Sequence, residues 1–527
     1  MPKVLIADSL DPRAMEVFAT RGVEADVRQG LKEADLVAII GGYDGLAVRS
    51  ATRVTAPVLA AGAAGGLRIV GRAGIGVDNI DVAAATGHGI VVMNTPFGNA
   101  ITTAEHAIAL MFALARQIPA ADASTRASKW EKSRFMGVEL TGKTLGVIGC
   151  GNIGSIVADR GHGLRMKVIA YDPFLSPERA LELGVEKVDL DTLFARADFI
   201  TLHTPLTEQT RGIVDAAAIA KMRKGVRIIN CARGGLVVEA DLLRALESGR
   251  ITGAALDVFV EEPAKNNPLF AHENVVCTPH LGASTTEAQV NVAIQVAEQM
   301  ADYLLTGAVI NALNMPSVSA EEAPRLRPYM RLAELLGSFA GQTTETGLVA
   351  VTIEFEGDAA GLNTRPLVAA ALNGLLRPLL DSVNMVNAPN LAHERGIEVS
   401  EVRHDRPCDY QTLIRLAVRT ERQTRTVAGT LVGGDKPRLV DVRGISLEAE
   451  LGTHMLYVMS NDRPGLIGRL GTVLGDAGIN IATFHLGRTG PGGDALSLVE
   501  VDQLMPADVL ASVAALPNVN QARALRF

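Results

Sequence analysis

The chain has 527 residues, too many for one hydrophobic core, so two to four domains are expected. Apolar residues make up 48% and charged residues 20%, which excludes a disordered chain. A net charge of −8 without any run of Lys and Arg leaves no electrostatic footprint for nucleic acid, and no apolar run approaches the length of a membrane span.

Residues 4–7 read as a strand ended by Asp8-Ser-Leu-Asp-Pro12, with a helix from about 12 to 21. Residues 38–40, 45–48, 67–70 and 89–93 read as further short strands, with a helix between the last two. Strands alternating with helices imply a parallel sheet. Within this first unit, Ala73-Gly-Ile-Gly76 is glycine-rich but too short for a nucleotide turn, and a tight loop explains it. Apolar residues at helical spacing from 101 to 117 predict a long buried helix leading into a second lobe. Residues 119–140 hold the only tryptophan, Trp130, near Lys129, Lys132 and Arg134, and it either anchors a loop or makes a subunit contact.

Leu145-Gly-Val-Ile-Gly-Cys-Gly-Asn-Ile-Gly154 joins a buried strand to a helix through the spacing G-x-G-x-x-G. Gly149 allows the tight turn, Gly151 lets backbone N–H groups approach a pyrophosphate, and Gly154 lets helix and strand pack closely. A second strand over 167–171 ends at Asp172, about twenty residues past the turn. An acid there accepts hydrogen bonds from a ribose and repels a 2′-phosphate, so NAD rather than NADP is the expected cofactor. The helix is expected to end or fray at Gly161-His-Gly163. Further strands are predicted at 199–202, 226–230 and 253–257, and a helix over 285–305.

After the turn-rich segment 314–319 the texture changes, with helices (326–340, 365–380) mixed with strand-like runs (348–355, 412–420, 425–431). The last segment reads strand (455–459), helix (466–475), strands (481–486, 495–501), a helix from 506 and a strand near 522–527, which is βαββαβ. The cysteines Cys150, Cys231, Cys277 and Cys408 have neither metal-ligand nor disulfide-framework spacing. They read as reduced thiols, small core residues of a cytoplasmic protein, and no metal is expected. The N-terminal residues lack the pattern of a signal peptide.

Hydride exchange with an alcohol needs a proton donor or acceptor and a group that holds and polarises the carbonyl. The candidates follow strands of the glycine-turn unit: Arg233 after 226–230, Glu262 after 253–257 and His280 after the pair Val275-Val276. A His exchanges protons near neutral pH, and a carboxylate beside its second nitrogen fixes the tautomer. An Arg grips a carboxylate bidentately and stabilises charge on the neighbouring oxygen. Singly, each residue has an ordinary alternative as a surface ion pair, a turn charge or a core histidine.

Together with Gly149-x-Gly-x-x-Gly154 and Asp172, the motifs Asn230-Cys-Ala-Arg-Gly-Gly235, Asp257-Val-Phe-x-x-Glu-Pro263 and Thr278-Pro-His-Leu-Gly-Ala-Ser284 resemble those of the D-isomer-specific 2-hydroxyacid dehydrogenases over residues 1–315. Val48-Arg-Ser50, Gly71-Arg-Ala-Gly-Ile-Gly-Val-Asp-Asn79, Val92-Met-Asn-Thr-Pro96 and the two further domains are similar to the long-form, phosphoglycerate-oxidising branch of that family. The resemblance implies an α/β fold with two Rossmann-like doubly wound lobes, an α+β intervening domain and a βαββαβ domain of the amino-acid-binding ACT type. The divisions would be 1–98 with 285–315 (substrate lobe), 99–284 (NAD lobe), 316–452 and 453–527.

The implied activity is NAD-dependent oxidation of 3-phospho-D-glycerate to 3-phosphooxypyruvate, the first step toward serine. His280 would be the proton donor and acceptor, Glu262 its partner and Arg233 the substrate clamp. NAD would meet Ile75, Gly149, Gly151, Asn152, Ile153, Gly154, Asp172, Thr204, Cys231, Asp257 and the segment His280, Gly282 and Ala283, with Asp257 facing the nicotinamide carboxamide. Arg49, Arg72 and Gly74 would join Arg233 and His280 around the phosphorylated substrate, and Arg134 would add a charge from a neighbouring subunit. Ser460, Asp462 and Asn480 fall at the positions of an L-serine effector site. ACT pairing implies at least a dimer, and the family expectation is a homotetramer. Alternatives are a glyoxylate, hydroxypyruvate or 2-oxoglutarate reductase, a non-catalytic NAD-sensing scaffold, and a chiefly regulatory amino-acid-binding protein.

Overall fold

A computed structural model describes residues 1–319, 321–380, 383–404 and 409–527; Cys408 lies outside the described residues. The chain opens with a parallel sheet of β1 (Lys3–Ile6), β2 (Glu24–Val27), β3 (Gly45–Val48), β4 (Ile69–Arg72) and β5 (Val91–Asn94) in the order β2-β1-β3-β4-β5. Its inner strands are short and apolar because both faces are covered. One cover comes from far along the chain: the helix Thr286–Thr306 lays Val292, Val296 and Met300 on the sheet. Glycines make that approach possible, since a β-carbon at Gly45 would lie 3.0 Å from Met300 Cε and one at Gly71 2.7 Å from Val296 Cγ2.

Residues 38–40 were expected to be a strand; they finish the helix Glu33–Ile39 and enter a short turn of helix, Ile40–Gly42. Leu36 and Ile40, four apart, are the buried pair, and a three-residue apolar run cannot reveal that period. The strand actually present, β2, is a half-exposed edge strand with the polar sequence Glu-Ala-Asp-Val, so it carries no apolar signature.

The second sheet holds β6 (Thr144–Ile148), β7 (Lys167–Tyr171), β8 (Glu186–Lys187), β9 (Phe199–Leu202), β10 (Val226–Asn230), β11 (Ile251–Leu256) and β12 (Val275–Cys277). All pairings are parallel and the order is β12-β11-β10-β9-β6-β7-β8, so the strand order reverses between β6 and β9. That reversal opens a crevice at the strands' C-terminal ends. The helix after the glycine turn runs from Asn152 to Gly163 and ends there, within the segment where it was expected to end or fray. A β-carbon at Gly161 would come within 2.9 Å of Leu145 Cδ2, so the glycine lets this helix lie against β6; close packing offsets its propensity cost of about 1 kcal/mol. The helix Ala100–Arg116 packs on the same sheet with Leu145, Val147, Phe199 and Ile229. Trp130 is 88% exposed and anchors no loop.

The third sheet, β13 (Leu348–Gly357), β14 (Glu398–His404), β15 (Thr412–Thr420), β16 (Thr424–Val432), β17 (Lys436–Val442) and β18 (Ile445–Ala449), runs β14-β13-β15-β16-β17-β18 with only the β13–β14 pair parallel. Helices Ala323–Thr343 and Arg365–Leu376 cover one face and meet backbone to backbone. Side chains at Gly337, Gly341 or Gly374 would collide with carbonyls of the facing helix.

The last unit is βαββαβ, with β19 (His454–Asn461), β20 (Ile481–Arg488), β21 (Asp494–Val501) and β22 (Val519–Arg526) in the order β20-β21-β19-β22. Its two helices cover Leu456, Val458 and Val499, while Met455, Tyr457 and Met459 on the opposite face join the core of the third unit. Glu345 ties the two units together, pairing with Arg425 at 3.4 Å and with Arg523 at 3.0 Å. Among the described residues no helix is long and apolar enough to cross a membrane.

Candidate active site

The glycine turn lies at the C-terminal end of β6, on the crevice. Gly149 takes φ +87°, and a β-carbon there would press on the His203 carbonyl at 2.6 Å, so Thr204 at the end of β9 comes up against the turn. A β-carbon at Gly154 would collide with the Gly149 carbonyl, whereas one at Gly151 meets nothing within 4 Å. Gly151 therefore faces open space at the uncapped start of the helix carrying Asn152 and Ile153. Asp172, just past β7, accepts from the backbone N–H of Cys150 and of Phe174, each at 2.8 Å. An open glycine, a bare helix N-terminus and an acid beyond the second strand together fit a dinucleotide. Cys150 and Cys231 are buried here, with thiols pushed up (Cys150 to about 11) by burial and by Asp172 or Asp257, which disfavours the reactive thiolate at both. Cys277 is exposed, contrary to its reading as a core residue.

Three loops beyond β10, β11 and β12 converge. Asn230, buried at the end of β10, accepts from Ala232 N–H at 3.0 Å and donates to the Arg233 carbonyl at 2.9 Å, folding the chain so that Arg233 leaves the sheet edge. Gly234 packs so closely on Phe259 and Val260 that no side chain fits between the loops. Glu262 accepts from Phe259 N–H at 3.0 Å, and its other oxygen meets His280 Nδ1 at 2.6 Å. His280 Nε2 has no hydrogen-bond partner among the described residues. The histidine takes the left-handed φ of +56°, an uncommon conformation for a side-chain-bearing residue. The bond to Glu262, against the opposing effect of burial, holds the His280 imidazolium above its ordinary pKa. Burial raises the Glu262 carboxyl, but bonds from His280 and from the Phe259 amide outweigh it and keep the pKa low.

Asp257 departs from expectation. Rather than facing the crevice it is fully buried. Its Oδ1 accepts from Thr278 Oγ1 at 2.5 Å and Leu281 N–H at 2.7 Å, its Oδ2 from Gly282 N–H at 2.8 Å, and His106 lies 3.2 Å away. Its carbonyl also accepts from His280 N–H at 2.9 Å. Burial alone would favour the neutral acid, yet the bonds from His106, Thr278 and Leu281 prevail and lower its pKa. Asp257 is thus the buried anchor of the loop that carries His280, Gly282 and Ala283. His106, Thr278 and Asn230 were not singled out in the sequence for these roles; only the fold brings His106 and Thr278 against Asp257 and sets Asn230 under the Arg233 loop.

From the first lobe come Arg49 and Arg72, at the ends of β3 and β4. Asp8 holds the Arg49 amide at 2.6 Å and Thr52 Oγ1 at 2.7 Å, fixing that corner. Burial draws the Arg49 guanidinium below its usual pKa, with Asp8 opposing. Burial and the neighbouring charges of Arg233 and Arg49 draw Arg72 down to about 10. Gly74, at φ +134°, leaves room for the Arg72 guanidinium and donates its N–H to Thr95 Oγ1 at 2.7 Å. Ile75 gives its carbonyl to Asn94 Nδ2 at 2.7 Å. Three guanidiniums thus face one region between the lobes. A small cavity beside Leu114, Arg227 and Asn274 lies at the opposite ends of β10 and β12, away from this chemistry. Arg134 pairs with Glu131 and Glu273 of its own chain, both at 3.3 Å.

In the last unit, Asp462 accepts from Arg488 at 2.8 Å and Gly492 N–H at 3.2 Å, and Asn480 donates to Asp502 at 2.7 Å. Ser460 is fully buried and its hydroxyl has no hydrogen-bond partner among the described residues.

Comparison with known proteins identifies the family. The NAD binding domain of the D-isomer specific 2-hydroxyacid dehydrogenases matches residues 108–282, the D-3-phosphoglycerate dehydrogenase intervening domain 325–443, and the ACT domain 454–518. The chain is 44% identical to a D-3-phosphoglycerate dehydrogenase of Synechocystis sp. over 100% of its own length and 95% of the relative's. It is 41% identical to that of Bacillus subtilis over 98% of each. Among solved structures it is similar to an NAD+-bound 3-phosphoglycerate dehydrogenase of Entamoeba histolytica (30% identity, TM-score 0.51, 59% of this chain and 98% of that one). A glyoxylate reductase structure matches at 28% identity with TM-score 0.55, over 59% of this chain and 98% of that one. With three domain models in order and end-to-end identity above 40%, the chain belongs to the D-3-phosphoglycerate dehydrogenase family, within the D-isomer specific 2-hydroxyacid dehydrogenases.

Proposed function

We propose that the protein oxidises 3-phospho-D-glycerate to 3-phosphooxypyruvate with NAD. The observation that carries this reading is the His280–Glu262 pair at 2.6 Å on the same cleft as Arg233 and the two cations of the first lobe. Gly149, Gly151, Asn152, Ile153, Gly154, Asp172 and Thr204 would hold the dinucleotide, which when bound takes up the hydride equivalent from C2. His280 Nε2 accepts the hydroxyl proton during oxidation and returns it during reduction, while Glu262 keeps the proton-bearing tautomer at Nδ1. Arg233 grips the carboxylate and stabilises charge on the adjacent oxygen. Arg49 and Arg72, with Gly74 as clearance, bind the phosphate; two partly buried guanidiniums suit a dianion and gain little from an unphosphorylated acid.

The division into a substrate lobe (1–98 with 285–315), an NAD lobe (99–284), an intervening domain (316–452) and an ACT domain (453–527) belongs to the same reading. L-serine is the effector the ACT domain suits, and its ammonium would need Arg488 to release Asp462. Exposed Ile118, Trp130 and Met136 support a homo-oligomer, with a tetramer expected. The free thiols of Cys150, Cys231 and Cys277 suit a reducing, cytoplasmic setting. The test is a steady-state assay of several D-2-hydroxy acids with NAD and with NADP. NADH formation confined to the phosphorylated acid supports the reading, and equal turnover of unphosphorylated acids overturns it.

A further inference from the structure

The loop after β4 carries Arg72, and it also reaches the opposite lobe at two points. Arg233 Nε donates to Asp78 Oδ2 at 2.8 Å, an ion pair between residues 155 apart in the chain and on different lobes. At Gly76, a β-carbon would collide with Arg233 Nη2 and lie 3.0 Å from Asp78 Oδ2. Arg233 Nη1 donates to the Ala232 carbonyl at 2.6 Å. The guanidinium is therefore held at Nε by the first lobe, held at Nη1 by its own loop, and seated with Nη2 over a glycine.

We propose that Asp78 and Gly76 are positioning residues for Arg233. From across the cleft they aim its remaining N–H groups, so that the clamp takes its working orientation only when the two lobes are together. The inference rests on the reading of Arg233 as the substrate clamp. Asp78 touches neither His280 nor Glu262; its carboxylate lies within electrostatic reach of Arg72, but its hydrogen-bonded ion pair is with Arg233.

Exposure separates this from a structural role. The Asp78 side chain is 62% exposed and that of Arg233 29%, and so exposed an ion pair contributes little to stability. Orientation is less forgiving, since a displacement of about 1 Å can cost on the order of a hundredfold in rate. Gly76 gives an independent handle. Its φ lies outside the left-handed region, so alanine is conformationally free there and its methyl presses on the Arg233 guanidinium and, less closely, on its partner Asp78.

The experiment compares Asp78→Asn, Asp78→Glu and Gly76→Ala with the wild-type full chain in melting temperature, NAD affinity and steady-state kinetics with 3-phospho-D-glycerate. Expected are unchanged melting and NAD binding, with kcat/KM down by about tenfold or more in Asp78→Asn and Gly76→Ala and partly restored in Asp78→Glu. In an Arg233→Lys background, Asp78→Asn should cost less than about threefold, because the geometry it serves is already lost. Wild-type kcat/KM in both Asp78→Asn and Gly76→Ala, or a full additive loss in the Arg233→Lys background, overturns the proposal. Should one variant fold poorly, the other decides. If the wild type does not turn over phosphoglycerate, the proposed function fails; if it does and the variants match it, only the positioning role fails.

Discussion

Replacing Glu262 by Gln removes one charge and keeps the shape. Glu262 Oε2 sits 2.6 Å from His280 Nδ1, and its other oxygen already holds the Phe259 amide, so Gln can keep the loop while losing the ionic bond. A charge-assisted hydrogen bond is worth about 1.5–3 kcal/mol. Because His280 is 50% and Glu262 35% exposed, the lower end applies, about 1.5 kcal/mol, or roughly tenfold in kcat. The pH profile carries the sign. Glu262 raises the His280 pKa, so its loss lowers it. Reduction, which needs the imidazolium, then falls off at lower pH than in wild type; the rising limb of oxidation, which needs the neutral ring, also moves to lower pH. Stopped-flow or steady-state rates in both directions across pH would measure this. A Glu262→Gln enzyme with wild-type kcat and an unmoved limb would refute the pairing.

The same pair sets a stability window. The His280 contribution is present below the ordinary 6.5 and is lost as pH rises through its raised pKa, whereas that of Glu262 is present above 4.5 and is lost as pH falls through its lowered one, so Glu262→Gln should cost most melting temperature between about pH 4.5 and 6.5. Arg72→Ala should lower kcat/KM for 3-phospho-D-glycerate by about a hundredfold, on the scale of a lost charge-assisted contact, while leaving NAD affinity unchanged in a fluorescence titration. Asp172→Ser should weaken NAD binding and narrow the preference over NADP, read from the ratio of the two Kd values. Gly374→Ala gains about 1 kcal/mol of helix propensity but drives a methyl into the Glu334 carbonyl; overpacking of about 1–3 kcal/mol should prevail, and denaturant unfolding should show a net loss.

The parts legible in the sequence were those with a local period or a fixed spacing. The turn Gly149–Gly154 with Asp172 at the end of β7, and the residues Arg233, Glu262 and His280 each just past a strand, follow from chain-local rules. So does the βαββαβ of the last unit. Edge strands escaped: β2 is polar and half-exposed, and β8 has only two residues. At Gly161 the helix-ending tendency is visible in sequence, and the helix does stop at Gly163, but the packing of Gly161 on Leu145 is not visible there. Asp257 misled for a related reason. The family resemblance gave it a place at the cofactor, but only the fold shows four donors around its carboxylate and no exposed surface. Asp78 lay in plain view in the Gly71–Asn79 motif, yet its partner is 155 residues away.

The most direct measurement is NADH formed from 3-phospho-D-glycerate by the wild-type chain and by His280→Asn. Expected is turnover with NAD by the wild type, and a loss of about 10²–10⁴ in kcat for the variant, with its melting temperature preserved at a pH above the His280 pKa, where the pair no longer adds stability. No NADH from the wild type, or undiminished NADH from the variant, would contradict the assignment of proton transfer to His280.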